Sequence, residues 1–119
     1  MVQVNELRVG NLIIAALYKT PIIVEDISST NEDIYNRDTG EIPIVSINPI
    51  EINSEWFIRF GFAFSGESVL FKDLFEVAMT KNKKFYLKGL AFTVLEIKYV
   101  HQLQNLHFCL TGEDLELPI

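Results

Sequence analysis

The sequence predicts an α+β fold: a β-rich N-terminal half, a short central helix, an antiparallel β-meander and a C-terminal helix. Three observations carry that prediction. Short β-branched runs separated by turn residues occupy the first fifty positions. A segment with both helix-start and helix-stop signals surrounds Trp56. Apolar side chains recur at helical spacing between Val100 and Leu110. A chain of 119 residues, 49% hydrophobic, suits a single domain spanning 1–119 with one core, and the nine Phe residues, all from Phe57 onward, predict that aromatics build it.

Asn5 to Asn11 reads as an opening turn in which Gly10-Asn11 tolerates positive φ. Leu12 to Tyr18 shows no polar alternation, which predicts a strand covered on both faces. After the turn Lys19-Thr20-Pro21, Ile22-Ile23-Val24 begins a second strand, and Ser28 to Glu32 is a loop. Asp33–Asn36 and Glu41–Ile47 form a predicted hairpin across Arg37-Asp38-Thr39-Gly40, with Pro43 requiring that the later strand lie at a sheet edge or start late. Asn53 caps a helix over 54–60, Ile52 staples it against Phe57, and Gly61 ends it. Glu55 in its first turn and Arg59 in its last agree with the helix dipole.

The meander is predicted near Val69–Lys72, Leu74–Met79, Lys84–Leu87 and Leu90–Tyr99, with turns over 80–83 and at Lys88-Gly89. The apolar phase of the last strand slips by one residue at Val94-Leu95, as a bulge or full burial requires. A second helix runs from Val100 to Leu110 and ends at Thr111-Gly112. At 100° per residue, Val100, Leu103, Leu106, His107 and Leu110 form its core-facing stripe, with His101 and Phe108 on the opposite face beside Gln104 and Asn105. The expected core includes Trp56, Phe57, Phe60, Phe92, Leu103, Leu106 and Leu110.

Charge and composition narrow the function. Net charge is −6, and the first 61 residues hold nine acidic against four basic side chains. Nucleic-acid binding draws on counterion release by Lys and Arg, so tight nucleic-acid binding is not expected. The single Cys109 allows no internal disulfide, the first residues lack a signal-peptide pattern, and the apolar run from Leu12 is far shorter than a bilayer span. A cytoplasmic protein without membrane contact is expected.

His101, His107 and Cys109 are the natural metal-ligand types, but helical separations of six and eight residues point them apart. Structural roles are favoured, with no metal or cofactor. Cys109, near a helix C-terminus, is a poor thiolate. The acidic residues Glu25, Asp26, Glu32, Asp33, Asp38 and Glu41 fit no calcium-loop register and read as a solvated loop. No phosphate loop, nucleophile elbow or H-E-x-x-H is present, so no catalytic residue is assigned.

Two surfaces invite interaction. Lys81, Lys83, Lys84 and Lys88 surround Phe85 and Tyr86, a pattern that could neutralise phosphates and stack bases; a lysine-guarded hairpin turn explains it equally and is favoured by the net charge. Residues 99–110 carry no charge at all, so the helix face of His101, Gln104 and Phe108 is either a contact surface for a protein partner or a second copy, or is buried against another element.

The segments Asn5-Glu6-Leu7-Arg8-Val9-Gly10-Asn11, Ile47-Asn48-Pro49-Ile50 with the Trp56-bearing helix and Gly61-Phe62, Ile97-Lys98-Tyr99-Val100-His101-Gln102-Leu103-Gln104-Asn105-Leu106, and Leu110-Thr111-Gly112-Glu113-Asp114-Leu115 resemble a group of small uncharacterised proteins of Bacteroidetes-type bacteria, often in prophages or mobile elements. The resemblance covers about half the chain. It implies a mobile-element setting and carries no catalytic residue. The leading expectation is a non-enzymatic protein-binding or accessory protein of a mobile-element or host-interaction system. The alternatives are a nucleic-acid-associated accessory protein using the Lys81–Lys88 hairpin, and a small enzyme whose pocket no motif announces.

Overall fold

The computed structural model describes residues 7–15, 20–28, 32–73, 75–87 and 95–117. The N-terminal half consists of β1 (Leu12–Ala15), β2 (Pro21–Ile23), β3 (Asp26–Ser28), β4 (Asp33–Asn36), β5 (Gly40–Pro43) and β6 (Ile47–Asn48), with a 3-10 turn at Ile44–Ser46. A helix, α1 (Ser54–Arg59), leads into β7 (Ala63–Ser65), β8 (Val69–Lys72), β9 (Phe75–Met79), β10 (Phe85–Leu87) and β11 (Leu95–Ile97), and α2 (Val100–Thr111) follows. The fold is α+β, and every described strand pair is antiparallel.

Among the described residues three sheets result, in the orders β2-β1-β6, β3-β4-β5 and β11-β10-β9-β8-β7. The first two are linked by chain that changes partners in mid-run. Val24 N–H still bonds to Asn11 C=O at 2.9 Å, whereas Glu25 N–H already bonds to Tyr35 C=O at 2.9 Å. Asn36 reinforces the corner, its Nδ2 donating to Ile23 C=O at 2.9 Å. This extra strand, β3, is only Asp26-Ile27-Ser28, too short for alternation to show, and it takes in Ser28, expected as the first residue of a loop. The predicted strand Glu41–Ile47 is in fact two, since the 3-10 turn after Pro43 passes the chain from the second sheet to the first. Pro43 does end an edge strand.

β1 is covered on both faces, as its unbroken apolar character predicts. Ile13 and Ala15 enter an aliphatic cluster with Ile22, Val24, Ile34, Ile42, Ile44 and Ile47. Leu12 enters a second, aromatic cluster with Trp56, Phe57, Phe60, Phe62, Phe75 and Phe85, while half-buried Ile14 packs against its edge. Aromatic dominance therefore holds for only one of two cores. Phe57, fully buried, is the hub of the second, with ring centroids 5.2 Å from Phe62 and 4.9 Å from Phe85.

α1 forms as its caps dictate. Trp56 N–H donates to Asn53 Oδ1 at 3.1 Å, and Gly61, at φ 96°, lets Phe62 N–H return to Phe57 C=O at 3.0 Å. The predicted meander is present with one addition: β7, whose three residues are all exposed and give no periodic signal. The bulge at Val94, Phe92 and the Lys88-Gly89 turn fall outside the described residues.

α2 is rotated relative to its apolar stripe. Its buried residues are Val100, His101, Leu103, Gln104 and His107; Leu106 is half-buried and Leu110 is 56% exposed. At 100° per residue the buried face is turned by roughly 60° from the predicted one. The cause is polar anchoring, described below. Leu103→Ala should therefore cost about 2–5 kcal/mol, whereas Leu110→Ala should change stability by less than about 0.5 kcal/mol. Urea unfolding of the two variants measures this, and comparable losses would restore the stripe orientation.

Candidate functional site

The N-terminal turn prepares the surface on which α2 docks. Asn11 N–H bonds back to Arg8 C=O at 3.1 Å, with Gly10 at φ 97°, the third-position geometry that a side chain would strain. Asn11 Oδ1 accepts from Arg8 N–H, and Asn11 Nδ2 donates to Asn105 Oδ1 at 2.8 Å. Arg8 extends along the helix: its Nε donates to Asn105 Oδ1 at 3.3 Å and its Nη2 meets Asp114 Oδ1 at 2.9 Å. Its guanidinium carbon lies 4.1 Å from the centre of the Phe108 ring.

Gln104 joins helix to strand. Its Oε1 accepts Leu12 N–H at 2.8 Å and its Nε2 donates to Gly10 C=O at 3.0 Å, in an almost fully buried position. His107 is buried against Phe75, ring centroids 5.2 Å apart, and its Nδ1–H donates to Glu113 C=O at 2.8 Å, which fixes that tautomer and folds the following segment back. His101 is buried and stacked on Tyr99, with planes 8° apart. Gln102 Oε1 accepts the N–H groups of Lys98 and Tyr99 at 2.9 and 3.1 Å, satisfying donors at the helix start.

The expected outward face of His101, Gln104 and Phe108 is thus not one surface. His101 and Gln104 belong to the interior, and only Phe108, 38% exposed under Arg8, reaches solvent. Burial against other elements explains the absence of charge on that side, because a buried amide and imidazole can be hydrogen-bonded where Lys or Glu could not be desolvated.

What α2 does leave open is a groove of about 320 Å³ beside β11, lined by Leu95, Glu96, His101, Gln102, Asn105, Leu106 and Cys109. Among the described lining residues, Glu96 is the one that carries charge. Leu106, predicted as core, forms part of this wall, and the exposed Cys109 stands at its border. The signal in the sequence was the charge-free run 99–110; the register of the helix, which assigns each residue to groove or interior, was not in it.

The lysine turn is well defined. Thr80 N–H bonds to Lys84 C=O at 2.8 Å, Lys83 N–H to Thr80 C=O at 3.0 Å, and Lys83 adopts φ 62°. Lys81, Lys83 and Lys84 are exposed. Phe85, expected as a base-stacking partner, is instead core, 2% exposed and packed on Phe57; Tyr86 is half-buried on the other sheet face. Alternation along β10 requires that separation.

In the acidic half, no Asp or Glu among the described residues is buried. Arg37 N–H and Nε contact Glu25 Oε1 at 3.1 and 3.2 Å. The backbone bond from Arg37 first, and then its guanidinium, hold the Glu25 carboxyl below its ordinary value. Among the described residues, no three His, Cys, Asp or Glu side chains converge as a metal site, and no helix is long and apolar enough to cross a membrane.

No family model, curated protein or solved structure matches this chain.

Two measurements follow from this geometry. Gln104→Leu leaves Leu12 N–H and Gly10 C=O without their partner and should cost about 2–4 kcal/mol, with faster hydrogen exchange at the Leu12 amide. The Glu25 carboxyl, depressed in the folded chain, contributes stability above its unfolded value and loses it as pH falls through the lowered folded value. Glu25→Gln should accordingly flatten the acid limb of the stability–pH curve below the ordinary carboxylate range, leaving neutral pH behaviour as the reference.

Proposed function

We propose that this chain is a non-enzymatic accessory protein that binds a protein segment in the groove between α2 and β11. The observation that supports this most directly is the groove's chemistry. Leu95, Leu106 and Cys109 offer apolar surface, while Gln102 and Asn105 offer amides, against one carboxylate from Glu96. Apolar surface with few charges and some hydrogen-bonding capacity is the composition of protein-contact centres. A non-catalytic role agrees with acidic residues that lie exposed or half-exposed on the N-terminal sheets; Glu25 and Asp38 do line an open hollow of about 580 Å³, but there Glu25 is paired with Arg37.

The setting we propose, a mobile-element or host-interaction system, rests on the resemblance of both chain ends and the Trp56 segment to the bacterial group described above. The nucleic-acid alternative would rest on Lys81, Lys83 and Lys84 with half-buried Tyr86, because Phe85 lies in the core. Three exposed lysines on a chain of net charge −6 supply little counterion release.

Cys109 provides the test. A tagged chain should retain its co-purifying protein from native cells, whereas Cys109→Trp, which fills the groove, should lose it with the thermal melt unchanged. The identified partner, added back, should slow maleimide labelling of Cys109 by about tenfold. Equal capture by both forms, with unchanged labelling, would remove the groove as the binding site. Competition of that capture by a single-stranded oligonucleotide would favour the lysine turn instead.

A further inference from the structure

We propose that β7 is a self-association edge, pairing antiparallel with β7 of a second copy about a two-fold axis through Phe64. This surface is distinct from the α2 groove.

The five-stranded sheet ends at β7, which has β8 as its neighbour on one side. Ala63, Phe64 and Ser65 are all exposed, and among the described residues no strand pairs with the other side. An open strand edge presents unpaired N–H and C=O groups, and proteins ordinarily guard it with Lys, Pro, inward charges or a bulge. The remaining edges here follow that rule. β2 begins with Pro21, β3 begins with Asp26, β5 carries Glu41 and Pro43, β6 runs into Pro49, and β11 carries Glu96. β7 contains no charge and no Pro, and its register with β8 is regular at Ala63↔Phe71, Phe64↔Leu70 and Ser65↔Val69. It carries one exposed aromatic, Phe64 at 43%, and stands next to another in β8, Phe71 at 37%.

The flanking charges select a second copy as the occupant. A Cβ added at Gly61 would lie 3.5 Å from Lys72 Cε, so the Lys72 side chain crosses the start of β7. Glu67 lies exposed in the turn beyond its end. In an antiparallel pair centred on Phe64, residues equidistant from it face each other. Ala63 meets Ser65 of the second copy, the two Phe64 rings meet at the axis, and the Gly61–Lys72 end meets Glu67 of the second copy. That opposite-charge match occurs twice, once at each end, as a two-fold interface requires. Cross-strand aromatic and opposite-charge pairs are the contacts that stabilise such a ladder. Three residues of edge make a small interface, so the dimer is concentration-dependent, with a dissociation constant of roughly 1–100 μM.

Sedimentation equilibrium of the full chain between about 1 and about 500 μM should show a mass rising from 13.6 kDa towards twice that value. Phe64→Lys, which sets like charges at the axis, should weaken association at least about tenfold with the circular-dichroism spectrum retained. Glu67→Lys, in an exposed turn where folding is not at stake, should do the same, and adding Lys72→Glu should restore association to within about threefold of the original. A merely structural edge would show no such rescue. A monomer across the whole range overturns the proposal. So does a dimer indifferent to Phe64→Lys and Glu67→Lys, which would use another face, or a double variant as weak as Glu67→Lys alone.

Discussion

The side-chain amide of Gln104 is the joint on which this structure depends. It takes the place of a strand neighbour for the start of β1, accepting from Leu12 N–H at 2.8 Å and donating to Gly10 C=O at 3.0 Å. β1 is the strand shared by the two hydrophobic clusters, so fixing its start against α2 sets the relation of the helix to both. An amide suits this position because it supplies one acceptor and two donors from a neutral group. A charged side chain in the same buried place would bring a desolvation cost of several kcal/mol. The Arg8–Asn11–Asn105 contacts extend the joint outward to the surface, where the Arg8–Asp114 pair is partly exposed and adds little by itself.

The two clusters differ in chemistry because their walls differ. Strands of two to four residues surround the aliphatic one, and β-branched Ile and Val pack between their pleated surfaces. The aromatic cluster fills the gap between a five-stranded sheet and two helices, where rings pack edge to face. The starts of the helices are tied together across that gap: Ile52 N–H bonds to Lys98 C=O and Val100 N–H to Ile50 C=O, both at 2.9 Å. Trp56, Phe57 and Phe60 are thereby delivered to the same core as Val100 and Leu103.

This arrangement explains the surface as well as the interior. Because Gln104 and His107 point inward, Leu106 and Leu110 are displaced towards solvent, and the groove beside β11 acquires an apolar wall. The lysine turn, by contrast, sends Phe85 inward and leaves half-buried Tyr86 as the aromatic on the opposite face of β10. The chain thus separates chemistry by face: hydrogen-bonded polar side chains inside, an apolar wall at the helix groove, and an uncharged strand edge at β7.

What the sequence determined by itself was the local structure. Asn53 and Gly61 bound α1, Gly112 ends α2 in the left-handed conformation, Gly10 makes the first turn, and the unbroken apolar run at Leu12 marks a strand buried on both faces. These follow from backbone sterics and from burial patterns within a few residues. Tertiary structure alone decided the rotation of α2, the division of the interior into two cores, the passage of chain between the first two sheets, and the exposure of β7. The physical reason is common to all four. A polar side chain such as Gln104 is expensive to bury unless a partner waits for it, and its partner lies 92 residues away. No periodicity in α2 records the positions of Gly10 and Leu12, so the helix reads as turned towards its leucines until the fold brings the first strand beside it.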